Sequence, residues 1–144
     1  MNSSSIEEEI RKNGRFVYSN RGTSMLPLIR EGKDVVVLTS PSFPLRKYDV
    51  PLYKPAHFDG KYVLHRIVKV ADGSYVIRGD NCITCEYGVS DGDIVGVLSA
   101  VVRGGKEISV SSLGYKIYSR IWCFIYPLRY VFKRFKGLLR RIFR

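Results

Sequence analysis

Three kinds of side chain in this sequence have the chemistry to break a peptide bond near neutral pH. They are a loop serine, two histidines and a few carboxylates. Ser24 stands in Gly22-Thr23-Ser24-Met25-Leu26-Pro27, between a glycine turn and a Met-x-Pro. A serine hydroxyl attacks a carbonyl usefully only when a base takes its proton and donors receive the oxyanion. Without a partner it is an ordinary turn residue or helix cap. His57 lies in "KPAHFDGK", where Asp59-Gly60 marks a loop, and reads as a surface residue. His65 lies in "KYVLHRIVKV"; on a strand it shares a face with Val63 and Ile67. A histidine on an apolar face is ordinarily a packed core residue, so His65 is a base only in suitable company. The company on offer is Asp80, in Gly79-Asp80-Asn81, and Glu86, six residues later. A carboxylate beside the imidazole would orient it and stabilise its protonated form.

Cys82-Ile83-Thr84-Cys85 is a single C-x-x-C, and Cys123 is the third cysteine. One such pair lacks the second half of a zinc site, and an odd count argues against a disulfide framework. The pair reads as two small packing residues, and no metal or cofactor is expected.

The elements that must position these groups are legible as short strands and turns. Ser5 and Glu8 have the spacing of a capping box, acids suit the first turn and Asn13-Gly14 supplies a stop. A helix is therefore predicted from Ile6 to about Lys12. "RFVYS" and "DVVVLTS" read as strands on either side of the serine segment. "YDVPLYK" is a strand whose Pro51 implies an edge or a bulge. "KYVLHRIVKVA" is the most strand-like run, and Asp72-Gly73 folds it back onto "SYVIRG" as a hairpin. "DIVGVLSAVVR", a Gly104-Gly105 turn and "KEISV" complete a mostly-β domain.

Taken in order, Gly-x-Ser-Met-x-Pro, a strand with His-Arg-Ile-Val, and Gly-Asp-Asn resemble the type I signal peptidase and LexA-like superfamily of serine peptidases. The likeness is to its Ser-His branch, found in the endoplasmic reticulum, archaea and some Gram-positive bacteria, and spans about residues 15 to 100. The resemblance implies a small coiled β domain that cleaves signal or leader peptides having small residues before the cut. It assigns Ser24 as nucleophile and places His65 where most bacterial relatives carry a lysine base. Asp80 falls on the Asp of the Gly-Asp-Asn box, while the acid of the Ser-His branch commonly lies a few residues beyond it, where this chain has Glu86. The third member stays open between the two. Met25 would line the pocket beside the scissile bond, Pro27 would stiffen the turn, and the Ser24 N–H would receive the oxyanion. Relatives with a hydroxyl two residues before the nucleophile have it where this chain has Gly22, so Thr23 or main chain must serve.

The net charge of +11 is uneven. Nine Lys or Arg and no acid lie between Gly114 and Arg144, and the preceding residues carry 15 basic and 13 acidic groups. The charge therefore marks an interaction tail rather than a globally basic nucleic-acid binder. Residues 1–112 read as the catalytic domain and 113–144 as the tail. Apolar residues recur at Ile117, Ile121, Phe124, Leu128, Phe132, Phe135, Leu139 and Ile142, on one helical face, with Pro127 kinking or dividing the helix. A basic amphipathic helix of this kind suits an anionic membrane surface, with Trp122 and Tyr126 at headgroup level. A regular apolar stripe is not required for phosphate contact, which argues against nucleic acid as the partner. The N-terminus lacks the apolar core of a secretory signal, no apolar run reaches about 18 residues, and the expected location is peripheral on a membrane. The alternative from a different class is a peptide-binding module on the same fold, recruited to membranes but without catalysis. A LexA-type regulator ranks last: a lysine would be expected where His65 stands, and the residues before Arg15 are too few for a helix-turn-helix.

Overall fold

The computed structural model describes residues 3–144, with side chains from Ile6 onward. β-Branched runs bounded by Gly, Asp and Pro turns form nine strands among the described residues, in two antiparallel sheets with three α-helices. The helix α1 spans Ser3–Asn13 and ends as expected, with Gly14 at φ +72° and its N–H donated to Ile10 O. The predicted cap is corrected. The helix is already formed at Ser3, so Ser5 is interior and Glu7 to Glu9 fall beyond the first turn.

The larger sheet has the order β1 (Arg15–Ser19), β2 (Asp34–Thr39), β8 (Ile94–Arg103), β3 (Pro51–Tyr53), β4 (Val63–Leu64), with β9 (Lys106–Ser109) also on β8. The smaller sheet is β5 (Arg66–Ala71), β6 (Ser74–Arg78) and β7 (Glu86–Val89). The Asp72-Gly73 hairpin is present, with Ala71 opposite Ser74 and both turn residues at positive φ. The strand β7 was not anticipated.

Two strand expectations change. The run 61–71 is not one strand: β4 belongs to one sheet and β5 to the other, with His65 at the break. His65 therefore does not sit mid-strand between Val63 and Ile67. Of the edge or bulge that Pro51 implies, the edge is overturned, because β3 lies between β8 and β4, whereas an irregularity does follow Pro51. Its missing N–H is tolerated because it opens the strand, and the pairing of β3 with β8 slips between Leu52 and Tyr53.

One core lies between α1, the larger sheet and Tyr115, and a second lies under the smaller sheet around Tyr53, Ile67 and Ile77. The segment joining β1 to β2 is pinned at its far end. Asp34 is fully buried and bound by Arg30 and Arg103 at 2.9 Å each. Hydrogen bonds from Arg30, then Arg103, hold its carboxyl well below the usual carboxylate range.

The C-terminal region forms two helices, α2 (Leu113–Phe124) and α3 (Tyr126–Ile142), divided at Ile125 with Pro127 in the first turn of the second. The face at Tyr115, Ser119, Trp122 and Arg129 turns toward the body, while Ile117, Ile121, Phe124, Leu128, Phe132 and Phe135 are exposed. Trp122 and Tyr126 are half-buried, and the polar end of each hydrogen-bonds to the body. No helix among the described residues is long and apolar enough to cross a membrane.

Candidate active site

Ser24 is held from both sides by main-chain contacts. Gly22, at φ +93°, makes the turn that a side chain would strain, and its N–H donates to Glu31 Oε1 at 2.7 Å. Thr23 is exposed, and its carbonyl accepts from Leu26 N–H and from Asn81 Nδ2. The Ser24 carbonyl accepts from Asn81 N–H at 2.8 Å. Among the described residues nothing accepts from the Ser24 N–H and nothing bonds its hydroxyl. An unspent N–H beside a serine hydroxyl has the geometry of an oxyanion donor.

Ser24 and His65 line one cavity of about 680 Å³. Its walls come from Tyr18 to Arg21 on one side and Tyr62 to His65 on the other. These walls are the β1 and β4 ends of the larger sheet. The sheet therefore curls until its two terminal strands face each other across the cavity, each with one edge unpaired within the sheet. Tyr62 donates to Glu7 Oε1 at 2.9 Å, so α1 fixes that rim.

Gly79 sits between the serine and the histidine. A methyl group there would stand 2.7 Å from the Ser24 carbonyl oxygen and from Cys82 Sγ, and 3.0 Å from His65 Nε2. Glycine is required at this point for space, since its φ is not in the left-handed region. The His65 ring and the Ser24 hydroxyl are not hydrogen-bonded to each other, and such contacts commonly tighten only when substrate binds. Burial lowers the His65 pKa below its ordinary 6.5, with Glu86 and then Asp80 pulling the other way. The imidazole is therefore neutral near pH 7, the form a base requires.

The two acids differ sharply. Asp80 is 4% exposed. Its oxygens take Arg66 Nε at 2.8 Å, Arg66 Nη2 at 2.9 Å and the Tyr118 hydroxyl at 2.8 Å. Arg66 is itself fully buried, so the pair is internal. Glu86 receives the Tyr53 hydroxyl at 2.6 Å and the Ala56 N–H at 3.2 Å. The Tyr53 ring lies 6.4 Å from that of His65. Burial, then Glu86, raises the Tyr53 pKa far above its usual range, so its hydroxyl stays a donor.

Met25 is placed in the core at 0% exposure, with Sδ accepting the Asp80 N–H at 3.5 Å. It anchors the loop from beneath and is absent from the cavity wall, contrary to the expected pocket role. Arg78 reaches Cys85 Sγ at 3.9 Å, and burial raises the Cys82 thiol pKa. Tyr53 was missed from the sequence, where a tyrosine in a strand signals only packing. The contacts of the C-terminal helices with residues 80–83 carried no sequence signal at all.

No family model matches the chain, and neither the curated proteins nor the solved structures yield a match. The arrangement itself defines a small two-sheet β domain in which a loop serine and a half-buried histidine share one cleft.

Proposed function

We propose that the protein is a serine endopeptidase of the signal peptidase type, working at a membrane surface on signal or leader peptides. The observation that carries this reading is the shared cavity. Ser24 and His65, far apart in sequence, meet at the cleft between the two terminal strands of a curled sheet. An extended peptide entering there finds unpaired main-chain edges on both sides, as β-strand addition requires. Ser24 attacks the carbonyl, His65 takes the proton and returns it to the leaving amine, and the Ser24 N–H receives the oxyanion. Water then releases the acyl group. Glu86 is the better third member. Its charge acts on His65 more strongly than that of Asp80, whose oxygens are occupied by Arg66 and Tyr118. No bond joins Glu86 to the imidazole, so its role is to stabilise the imidazolium through space, steadied by Tyr53.

The apolar stripe of α2 and α3 faces outward and is flanked by Lys and Arg, which supports anchoring on an anionic lipid surface. Exposed apolar patches of this extent mark interaction sites.

The test is intact-mass analysis of precursor peptides with Ala-x-Ala sites, mixed with the protein on anionic vesicles, beside Ser24→Ala and His65→Ala. The expected outcome is one cut, lost in both variants. Peptide binding without a cut at any pH would favour the non-catalytic module instead.

A further inference from the structure

Where β6 ends at Arg78, the chain turns through residues 79–85 before β7, and the carbonyls of Asp80, Asn81 and Ile83 belong to neither sheet. Main-chain oxygens in such a turn need partners. All three find them on α2 and α3. Asp80 O accepts from Trp122 Nε1 at 2.9 Å and from Arg129 Nη2 at 2.5 Å. Asn81 O accepts from Lys133 Nζ, which also reaches Asn81 Oδ1 at 2.7 Å. Ile83 O accepts from the Tyr126 hydroxyl at 2.7 Å. Cations stack within the same contact: Arg129 lies 3.7 Å from the centre of the Trp122 ring, and Arg78 lies 3.2 Å from that of Tyr126.

The other side of this turn is the active-site cleft. Asn81 N–H holds the Ser24 carbonyl, Asn81 Nδ2 holds the Thr23 carbonyl, and Gly79 separates Ser24 from His65 Nε2. The turn is therefore gripped from outside by the helices and grips the serine loop from inside. Asn81 links the two directly, since its carbonyl and side-chain oxygens go to Lys133 and its two nitrogens go to the serine loop.

We propose that α2 and α3 form a clamp on residues 79–83 and that Trp122, Arg129 and Lys133 are positioning residues for Ser24 and His65. The tail is then part of the catalytic apparatus as well as an anchor. The structural half of this inference stands on the hydrogen bonds alone; its catalytic half rests on the peptidase reading.

The experiment uses the full chain on anionic vesicles as wild type, Arg129→Gln, Lys133→Met, Lys133→Arg and the remote control Lys106→Gln, an exposed position outside the tail. Hydrogen–deuterium exchange is followed at residues 22–26 and 79–83, and kcat and KM are measured on a cleaved peptide. The expected result is exchange at both segments faster by about tenfold in Arg129→Gln and Lys133→Met, with the sheets unchanged. A kcat lower by about tenfold at nearly constant KM should accompany it. Lys133→Arg should restore both, and Lys106→Gln should match wild type. Wild-type exchange at 22–26 in both disruptive variants overturns the clamp, as does faster exchange spread evenly over the whole chain. Faster local exchange with unchanged kcat overturns the positioning role alone. Should no peptide be cut, the peptidase reading fails while the exchange arm still decides the clamp.

Discussion

On the proposed peptidase reading, His65 sets the pH response of the cleft. Its pKa is lowered mainly by burial, so kcat/KM should rise with pH through a midpoint below 6.5 and stay level through neutrality. A pH–rate profile checks this, and a midpoint in the lysine range would remove His65 as base. The same shift acts on stability. Below about 6.5 the unfolded chain takes a proton that native His65 refuses, so this group removes stability as the pH falls toward its folded pKa. Asp80 and Glu86 can be separated by pairing activity with urea unfolding. Asp80→Ala strands the buried Arg66 guanidinium and should cost about 3–5 kcal/mol, so any loss of activity tracks loss of fold. Glu86→Gln keeps the Tyr53 and Ala56 contacts in shape and should lower kcat by about tenfold or more with unfolding little changed. The Gly-Asp-Asn box drew attention to Asp80 from sequence alone. What the sequence could not carry was the competition for that carboxylate from Arg66, fourteen positions earlier, and Tyr118, far downstream.

At the level of elements, the turn after β6 is the joint on which the cleft depends. Gly79→Ala would push a methyl group into the Ser24 carbonyl and the His65 ring. It should destabilise the fold by about 1–3 kcal/mol. It should also lower kcat by about a hundredfold, since small displacements of reacting groups are costly. Thermal unfolding beside steady-state kinetics would separate the two effects. Legibility varied by element for physical reasons. The hairpin at Asp72-Gly73 and the stop at Gly14 were readable because positive φ leaves a mark on residue choice. The break at His65 was not, since Val63, Leu64, Ile67 and Val68 suit a strand in either sheet and only long-range pairing decides which. The helical period of residues 117–142 announced helices and an apolar face. It did not say that the opposite, aromatic and cationic face would meet the body, because the carbonyls that draw it inward belong to a distant turn.

For the molecule as a whole, the proposed reading assigns chemistry to the body and location to the outward stripe. Leu128→Glu with Phe132→Glu should weaken binding to anionic vesicles by tenfold or more, since each change removes an apolar side chain from lipid and adds an anion. Flotation or vesicle sedimentation reads this, added salt should weaken wild-type binding as well, and unfolding should be unaffected because both positions are exposed. The stripe also has a consequence for the purified protein. In plain buffer, with no lipid to receive Phe124, Leu128, Phe132 and Phe135, the same stripe on another molecule is an apolar surface of matching size. The chain would then self-associate as its concentration rises, held in check by the repulsion of its basic flanks at low ionic strength and released from that check by salt. Solubility, state of assembly and the accessibility of the cleft would all become functions of how the sample was prepared.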